Sequence, residues 1–209
     1  MLERYATLFW DFDGVIKDSV AVKSDAFESL FTPFGAEVAT RVRVHHEQYG
    51  GMSRYEKLPL YLRWAGRDGS EAEVAHYCEL FSAAVLQKVI DSPWVPGARE
   101  YLRANHARQF FVLVTGTPRA EMEEILMALD LAAYFREVHG APASKRDVIE
   151  SVLARSNCSR ADALMIGDSA SDYAAAKAAG VEFLLRRTDL NRNLQQQHFG
   201  LQCEDFIHG

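Results

Sequence analysis

The sequence predicts an α/β protein: a doubly wound parallel-sheet core of the Rossmann-like type, with an inserted all-helical cap. Three observations support this fold class. Apolar runs of four or five residues alternate with helical patterns in the second half of the chain, which is typical of a parallel sheet covered on both faces. The interval from about 18 to 92 carries helical patterns and no convincing strand. Polar and acidic residues follow the apolar runs, as expected where the ends of parallel strands form a ligand site.

The predicted strands are short apolar runs bounded by polar residues or glycine. Thr117 and Pro118 resemble the start of a helix over 118–129, and Ser144 resembles the N-cap of the next helix. The Ala-rich segment before Gly180 predicts a further helix that ends at that glycine. The strand runs are ATLFW (6–10), FFVLV (110–114), ALMI (163–166), VEFLL (181–185) and the weaker FREVH (135–139).

The helical interval lies between the first and second predicted strands, and it is too long for an ordinary connection within a sheet. We therefore expect a core formed by residues 1–16 and 93–209 and a cap formed by residues 17–92. Within the cap, Asp18 and Ser19 fit the N-cap of the first helix, and Pro59 predicts a break in a later one.

Composition and charge favour a soluble globular protein over a nucleic-acid or membrane protein. The chain has 209 residues, of which 48% are hydrophobic and 25% are charged, and its net charge of −6 disfavours binding to nucleic acids or anionic membranes. No apolar run is long enough to span a bilayer, and the first residues lack a signal-peptide pattern. Three widely spaced cysteines fit neither a disulfide framework nor a zinc site, so we expect a cytoplasmic protein.

Carboxylates and an anion-binding set converge where the predicted strands end. Asp11, Asp13 and Asp168 would repel one another unless a cation lay among them, and hard oxygen ligands without His or Cys suit Mg²⁺. Thr115 and Lys145 offer a hydroxyl and an ammonium group, which together suit a phosphate. The residues alone therefore predict a metal ion and a phosphoryl group at one site.

Four segments in register resemble the haloacid dehalogenase superfamily, in particular its phosphoglycolate-phosphatase-like branch with a helical cap. DFDGVIKDS resembles the first motif of that family, VLVTGT the second, APASK the lysine motif and MIGDSASD the acidic fourth motif. They occur in the family's order, each directly after a predicted strand. The resemblance extends over nearly the whole chain, except for about the last twenty residues.

The resemblance implies a role for each matching residue. Asp11 would be the nucleophile that accepts the phosphoryl group, and Asp13 the acid that protonates the leaving group and then the base that activates water. Thr115, the Gly116 amide and Lys145 would hold the phosphate. Asp172 would bind the metal or orient Lys145. The implied metal ligands are Asp11, Asp13, Asp168 and Asp172, with Mg²⁺ as the cofactor.

The cap loop around Gly50 and Gly51 is the predicted specificity segment, because paired glycines interrupt two helices there. We expect Gly51 and Arg54 to contact the substrate, with a surface helix position as the alternative for Arg54. The neighbouring His45 and His46 lack further metal ligands at useful spacing, so we expect them to be solvated.

These features favour a Mg²⁺-dependent phosphatase that acts on a small phosphorylated metabolite, of the phosphoglycolate or sugar-phosphate class. A sugar phosphomutase of the same superfamily remains an alternative, because the core motifs do not separate the two. A dehalogenase or phosphonatase is disfavoured, because those enzymes usually lack an aspartate where this chain has Asp13. A non-catalytic binding module is disfavoured by the intact nucleophile. The oligomeric state stays open.

Overall fold

The fold is built on one six-stranded parallel sheet. The structure is a computed structural model, and it describes residues 1–156 and 158–207. The strand order β3-β2-β1-β4-β5-β6 reverses direction at β1, so the chain is doubly wound and the predicted fold class is confirmed. The strands are β1 (Thr7–Trp10), β2 (Phe110–Pro118), β3 (Glu137–Ala141), β4 (Ala163–Gly167), β5 (Glu182–Arg186) and β6 (Leu201–Cys203).

Both faces of the central strands are buried, which explains why β1 reads as a continuous apolar run. Leu8 and Trp10 belong to one hydrophobic cluster, whereas Phe9 between them belongs to the cluster on the opposite face. This period of two follows from the pleat of a strand. Asp11 is the first residue beyond β1, and its amide donates to the Ile166 carbonyl of β4 (2.9 Å). The end of β1 therefore lies at the reversal of strand order, where open sheets bind ligands.

Nine α-helices are present in the described part of the chain, and five of them lie between β1 and β2 without an intervening strand. The last of these five, α5, leads into β2. The helices are α1 (Val20–Phe31), α2 (Ala36–Gln48), α3 (Arg54–Trp64), α4 (Glu71–Asp91), α5 (Ala98–Asn105), α6 (Arg119–Ala128), α7 (Lys145–Ser156), α8 (Ala170–Ala179) and α9 (Arg192–Gln197).

The four helices α1 to α4 pack around aromatic side chains of their own. Phe27 of α1 stacks on Phe81 of α4 with ring centroids 3.9 Å apart, and it meets Tyr61 of α3 edge-on. Because these helices share a core of large rings, we propose that they form the cap, with its limits at residues 17 and 92. No helix in the described part of the chain combines the length and apolar character needed to cross a bilayer.

Two local predictions were wrong, and one strand was not predicted. Pro59 does not break α3, because the helix continues through it to Trp64. Thr117 does not cap α6: β2 extends to Pro118, and the Thr117 side chain bonds to Asp13 instead. The C-terminal segment adds a short sixth strand, β6, which pairs with β5. No apolar run in the sequence predicted this strand. In each case tertiary pairing prevailed over local propensity.

Candidate active site

Asp11 lies at the centre of the site. Its side chain is buried, with Oδ1 accepting a hydrogen bond from the Phe12 amide (2.8 Å) and Oδ2 lying 3.0 Å from Lys145 Nζ. Lys145 is the first residue of α7, so the turn after β3 brings its side chain across to the end of β1. The family-implied nucleophile and lysine are therefore in direct contact.

Lys145 also contacts Asp172, whose Oδ1 lies 2.6 Å from Nζ. Burial alone would lower the pKa of Lys145, but the charges of Asp11 and Asp172 outweigh it and raise that pKa. The ammonium is therefore held in its charged form between two carboxylates.

Asp172 is held on both of its oxygens. Its Oδ2 accepts hydrogen bonds from the Ser169 hydroxyl (2.6 Å) and the Ser169 amide (3.1 Å). The bond from the Ser169 amide and the bond from the Asp172 amide to Ser169 Oγ together form a capping box at the start of α8. Its Oδ1 is taken by Lys145. With both oxygens engaged and the residue fully buried, Asp172 is placed to orient Lys145.

The carboxylates of Asp11, Asp168 and Asp172 form the acidic cluster of the site, with one oxygen of each within 4.8 Å of the others. Burial, followed by repulsion from the neighbouring carboxylates, raises the pKa of Asp11 to about 7 against the pull of Lys145. The same causes raise the pKa of Asp168 well above its usual value. Such crowding signals too little positive charge, and a hard divalent cation such as Mg²⁺ fits this all-oxygen donor set.

The side chain of Asp13 lies outside that cluster, which differs from the predicted set of carboxylate ligands. Its Oδ1 accepts from the Ser19 hydroxyl (2.6 Å), and its Oδ2 accepts from the ammonium of Lys23 and the hydroxyl of Thr117 (3.2 Å). Burial would raise the pKa of Asp13, but the charge of Lys23 and these three hydrogen bonds lower it. The physical reason for the difference is that Lys23 from α1 draws the carboxylate towards the cap.

The contacts that Ser19, Lys23 and Thr117 make with Asp13 were not predicted from the sequence. Ser19 does occupy the N-cap position of α1, as expected, but its hydroxyl donates to Asp13 and makes no capping bond. Lys23 sits on a helix like any solvated lysine, and only the fold shows that it is buried and donates to Thr117 (2.7 Å) as well as to Asp13. No local signal distinguishes such a lysine.

Thr115 and Gly116, the predicted phosphate-binding pair, lie at the wall of a cavity above Asp11. Thr115 is buried, and its hydroxyl accepts a hydrogen bond from the Thr117 amide (3.1 Å). A Cβ atom on Gly116 would lie 3.1 Å from the Gly51 carbonyl oxygen, so the cap loop presses directly on this segment.

Two glycines are required by close approach. A Cβ atom on Gly14 would fall 2.1 Å from Asp168 Oδ2, and its φ of +74° also disfavours other residues. A Cβ atom on Gly51 would fall 1.8 Å from Ser171 Oγ. Gly51 therefore lets the cap loop rest on the start of α8, next to the acidic cluster.

Arg54 was predicted as a substrate contact, and the structure gives it a protein partner. Its guanidinium forms two hydrogen bonds to Glu121 of α6 (2.7 and 2.8 Å) and one to Ser82 of α4, and it lies over the Phe81 ring. Both charges are buried. Arg54 lines the cavity, but a substrate anion would have to compete with a carboxylate for it.

His46 is buried, contrary to the expectation that it is solvated. Its Nδ1 lies 2.8 Å from Nζ of Lys57, and its ring packs against Phe27. The adjacent His45 bonds to the Tyr61 hydroxyl through Nδ1 (3.0 Å). The helix α2 thus turns His46 into the cap interior, which the sequence pattern HH did not reveal.

The cavity between core and cap has a volume of about 50 Å³. Asp11, Asp13 and Asp168 line the core side, whereas the cap side carries Lys23, Arg54 and Lys57 together with the rings of Phe27 and Phe81. A model of haloacid dehalogenase-like hydrolases matches residues 5–180, a range that includes every one of these core residues. The chain belongs to this family.

Individual relatives are similar in sequence or in fold. A phosphoglycolate phosphatase of Pseudomonas fluorescens is 30% identical over 84% of this chain, and a phosphorylated carbohydrates phosphatase of Thermotoga maritima is 25% identical over 84% of the chain and 82% of its own length. The chain spans about two thirds (66%) of the length of the first of these. The crystal structure of CbbY from Rhodobacter sphaeroides in complex with phosphate has the same fold: the TM-score is 0.77 at 15% identity, over 98% of this chain and 96% of that one.

Proposed function

We propose that this protein is a Mg²⁺-dependent phosphatase that hydrolyses a small phosphomonoester through an aspartyl-phosphate intermediate. The observation that carries the proposal is the placement of the buried Lys145 ammonium between the carboxylates of Asp172 and Asp11, the second of which lines the cavity. A buried lysine there offsets the repulsion between Asp11 and a phosphate dianion. A carboxylate needs no separate base to act as a nucleophile.

In the first step, an oxygen of Asp11 attacks phosphorus as the bond between phosphorus and the ester oxygen breaks. Against the effect of burial, Lys23 lowers the pKa of Asp13 in the ligand-free protein, and the negative charge of the bound phosphate raises it again, so that Asp13 takes up a proton. Asp13 gives this proton to the leaving alkoxide, so the alcohol departs and Asp11 carries the phosphoryl group. Ser19, Lys23 and Thr117 fix the position of the Asp13 carboxyl group during this transfer.

In the second step, Asp13 takes a proton from a water molecule, and the oxygen of that water attacks phosphorus. The bond from phosphorus to Asp11 breaks, which releases phosphate and restores the carboxylate. Thr115, the Gly116 amide and Lys145 hold the phosphoryl oxygens in both steps. Asp172 keeps Lys145 aligned.

The metal site of this proposal is the acidic cluster, with Asp11 and Asp168 as ligands and Asp172 at its edge. When bound, Mg²⁺ supplies positive charge that stabilises the negative charge of the phosphoryl oxygens. The chain's own contribution is to gather hard oxygen ligands from the two segments that follow β1 and β4.

The proposed substrates are phosphoglycolate or small sugar phosphates. The phosphatase relatives named above act, by their names, on compounds of these two classes. We propose that the phosphoryl group of the substrate binds next to Lys145 and that the rest of the substrate contacts the cap.

Phosphate release from a panel of small phosphomonoesters, measured with Mg²⁺ and with excess chelator, tests this function. We expect sustained release that requires Mg²⁺. Release that occurs only with an added sugar bisphosphate would favour the phosphomutase alternative instead. Absence of release from every ester, with phosphate binding retained, would favour a non-catalytic binding module.

A further inference from the structure

Lys57 of α3 is a buried lysine that faces the cavity without an acidic partner. Its side chain is 1% exposed, yet no carboxylate of the described residues lies within ion-pair distance of its Nζ. The two other buried lysines of the site differ: Lys23 pairs with Asp13, and Lys145 pairs with Asp11 and Asp172. A buried ammonium without a counter-ion is costly, so an unpaired one beside a cavity points to a ligand that supplies the charge.

The protein groups around Lys57 are neutral. Nζ contacts His46 Nδ1 at 2.8 Å and the Gly50 carbonyl oxygen at 3.3 Å, and the Phe27 ring centroid is 5.9 Å away. These account for two of the three ammonium protons in directional hydrogen bonds. One donor is left for a ligand.

His46 adds an independent observation. Burial, followed by the positive charge of Lys57, lowers the pKa of His46 well below its usual value, so the ring is neutral. Because Nδ1 accepts from the ammonium, the ring proton is on Nε2. That nitrogen is buried and has no hydrogen-bond partner among the described residues, although His46 lines the cavity. A lysine and a histidine thus each retain a donor at the same wall.

The charge on the two sides of the cavity is opposite. Among the described residues that line it, the cap supplies three basic side chains and no carboxylate, whereas the core supplies three carboxylates. Arg54 is neutralised by Glu121, and Lys23 is neutralised by Asp13. Of the three basic side chains that the cap contributes to the cavity, Lys57 is therefore the one whose charge is not paired with a carboxylate of the described residues.

We propose that Lys57 and His46 form a subsite for a second anionic group of the substrate, at the end remote from the transferred phosphoryl group. This inference rests on the proposed phosphatase function and narrows its substrates to small phosphomonoesters with an anionic end group. A carboxylate and a second phosphate share the chemistry that the subsite reads. Neutral sugar phosphates and simple alkyl phosphates lack it.

Three esters of the same two-carbon skeleton separate these possibilities: 2-phosphoglycolate, ethylene glycol bisphosphate and 2-hydroxyethyl phosphate. The first has a carboxylate at the remote end, the second a phosphate and the third a hydroxyl group. We expect the wild-type protein to prefer an anionic ester to 2-hydroxyethyl phosphate by at least about tenfold in kcat/KM, as for the loss of one charge-assisted hydrogen bond. Whichever anionic ester is preferred identifies the end group.

The Lys57→Met variant tests the residue, with Lys88→Met as its control. Lys88 is an exposed lysine on α4 of the same helical segment. We expect Lys57→Met to lower kcat/KM for the preferred anionic ester about 10- to 100-fold, mainly through KM, and to change 2-hydroxyethyl phosphate less than about threefold. Lys88→Met should change neither. An equal loss on both esters, or no loss on either, would overturn the proposal.

A binding measurement keeps this test separate from the proposed function. Isothermal titration calorimetry measures the binding of 2-phosphoglycolate and ethylene glycol bisphosphate to the Asp11→Asn variant and to the Asp11→Asn, Lys57→Met double variant. We expect the Kd of the anionic ester to be at least about tenfold larger for the double variant. If the wild-type protein hydrolyses none of the three esters and no p-nitrophenyl phosphate, the phosphatase function fails. The titration still decides the subsite: an unchanged Kd, or no binding of either anionic ester, overturns it.

Discussion

The core side and the cap side of the cavity differ in how their charges are arranged. On the core side, Asp11, Lys145 and Asp172 form a continuous chain of contacts at 3.0 and 2.6 Å, all within a few residues of strand ends. On the cap side, Lys57 rests on neutral groups and Arg54 reaches across to the core for its carboxylate. The charges of the core side are paired with one another, apart from the place of the proposed cation. On the cap side, the charge of Lys57 has no carboxylate partner among the described residues and is free to pair with a ligand.

This difference separates two tasks. The core groups surround the position of the phosphoryl group, which is common to every phosphomonoester. The cap groups surround whatever distinguishes one ester from another. A site divided in this way predicts that core substitutions affect all substrates alike, whereas cap substitutions change the preference among them.

Replacement of the nucleophile should have the largest effect and should test the core side alone. We expect Asp11→Asn to lower kcat by at least about a thousandfold on every ester, because an amide is a poor nucleophile. Phosphate release under saturating substrate measures it, and the titration described above shows whether binding persists. Turnover above about one tenth of the wild-type value would rule out covalent catalysis through Asp11.

The core site could be predicted from sequence because of the parallel sheet. Strand ends meet at one edge, so Asp11, Thr115, Lys145 and Asp168 can be brought together from the order of the strands alone. What escaped was the detail set by packing. Nothing in the chain near Asp13 indicated that Lys23, on a helix ten residues later, would hold its carboxylate away from the acidic cluster.

The cap was predictable as a set of helices but not as a binding surface. Its helical patterns give no rule for which face of α2 or α3 meets the cavity. Arg54 was chosen for its loop and its charge, yet α6 supplies Glu121 as its partner. Lys57 lies three residues further along α3, and nothing in the sequence distinguishes it from an ordinary helical lysine, which is usually solvated.

The ion pair between Arg54 and Glu121 gives the second test, because it joins the cap to the core. We expect Glu121→Gln to lower the free energy of unfolding by about 1–3 kcal/mol, because it leaves a buried guanidinium without its counter-charge. The control is Glu123→Gln on the same helix, whose pair with Arg119 is exposed and should contribute less than about 0.5 kcal/mol.

Kinetics of the same variant decide between two roles for Arg54. If Arg54 is a structural link, Glu121→Gln should leave the preference between anionic and neutral esters unchanged. If it is a substrate contact, removal of the competing carboxylate should lower KM for the anionic esters selectively. Equal stability of Glu121→Gln and Glu123→Gln would show instead that the pair does not hold the cap in place.

The smallest expected effect is on the free energy of unfolding of the ligand-free protein, which the buried Lys57 lowers. Burial, with a smaller contribution from Lys23 of α1, lowers the pKa of Lys57 to about 7, while Glu56 on the same helix and Asp13 of the core oppose the shift. The unfolded chain therefore binds more protons than the folded protein between about pH 7 and 10.5, so stability rises with pH across that window.

Lys57→Met removes this titration while it keeps most of the side-chain volume, so it should stabilise the ligand-free protein at pH 7. Allowing for the hydrogen bond that His46 loses, we expect a gain of about 1–2 kcal/mol at pH 7, which shrinks towards zero near pH 10. Urea unfolding at both pH values measures the difference, and the exposed Lys88→Met should show none. A Lys57→Met variant that is less stable than the wild type at pH 7 would mean that the ammonium is already satisfied by the fold. The proposed difference between a core side with paired charges and a cap side with an unpaired lysine would then be wrong for Lys57, the residue on which it depends.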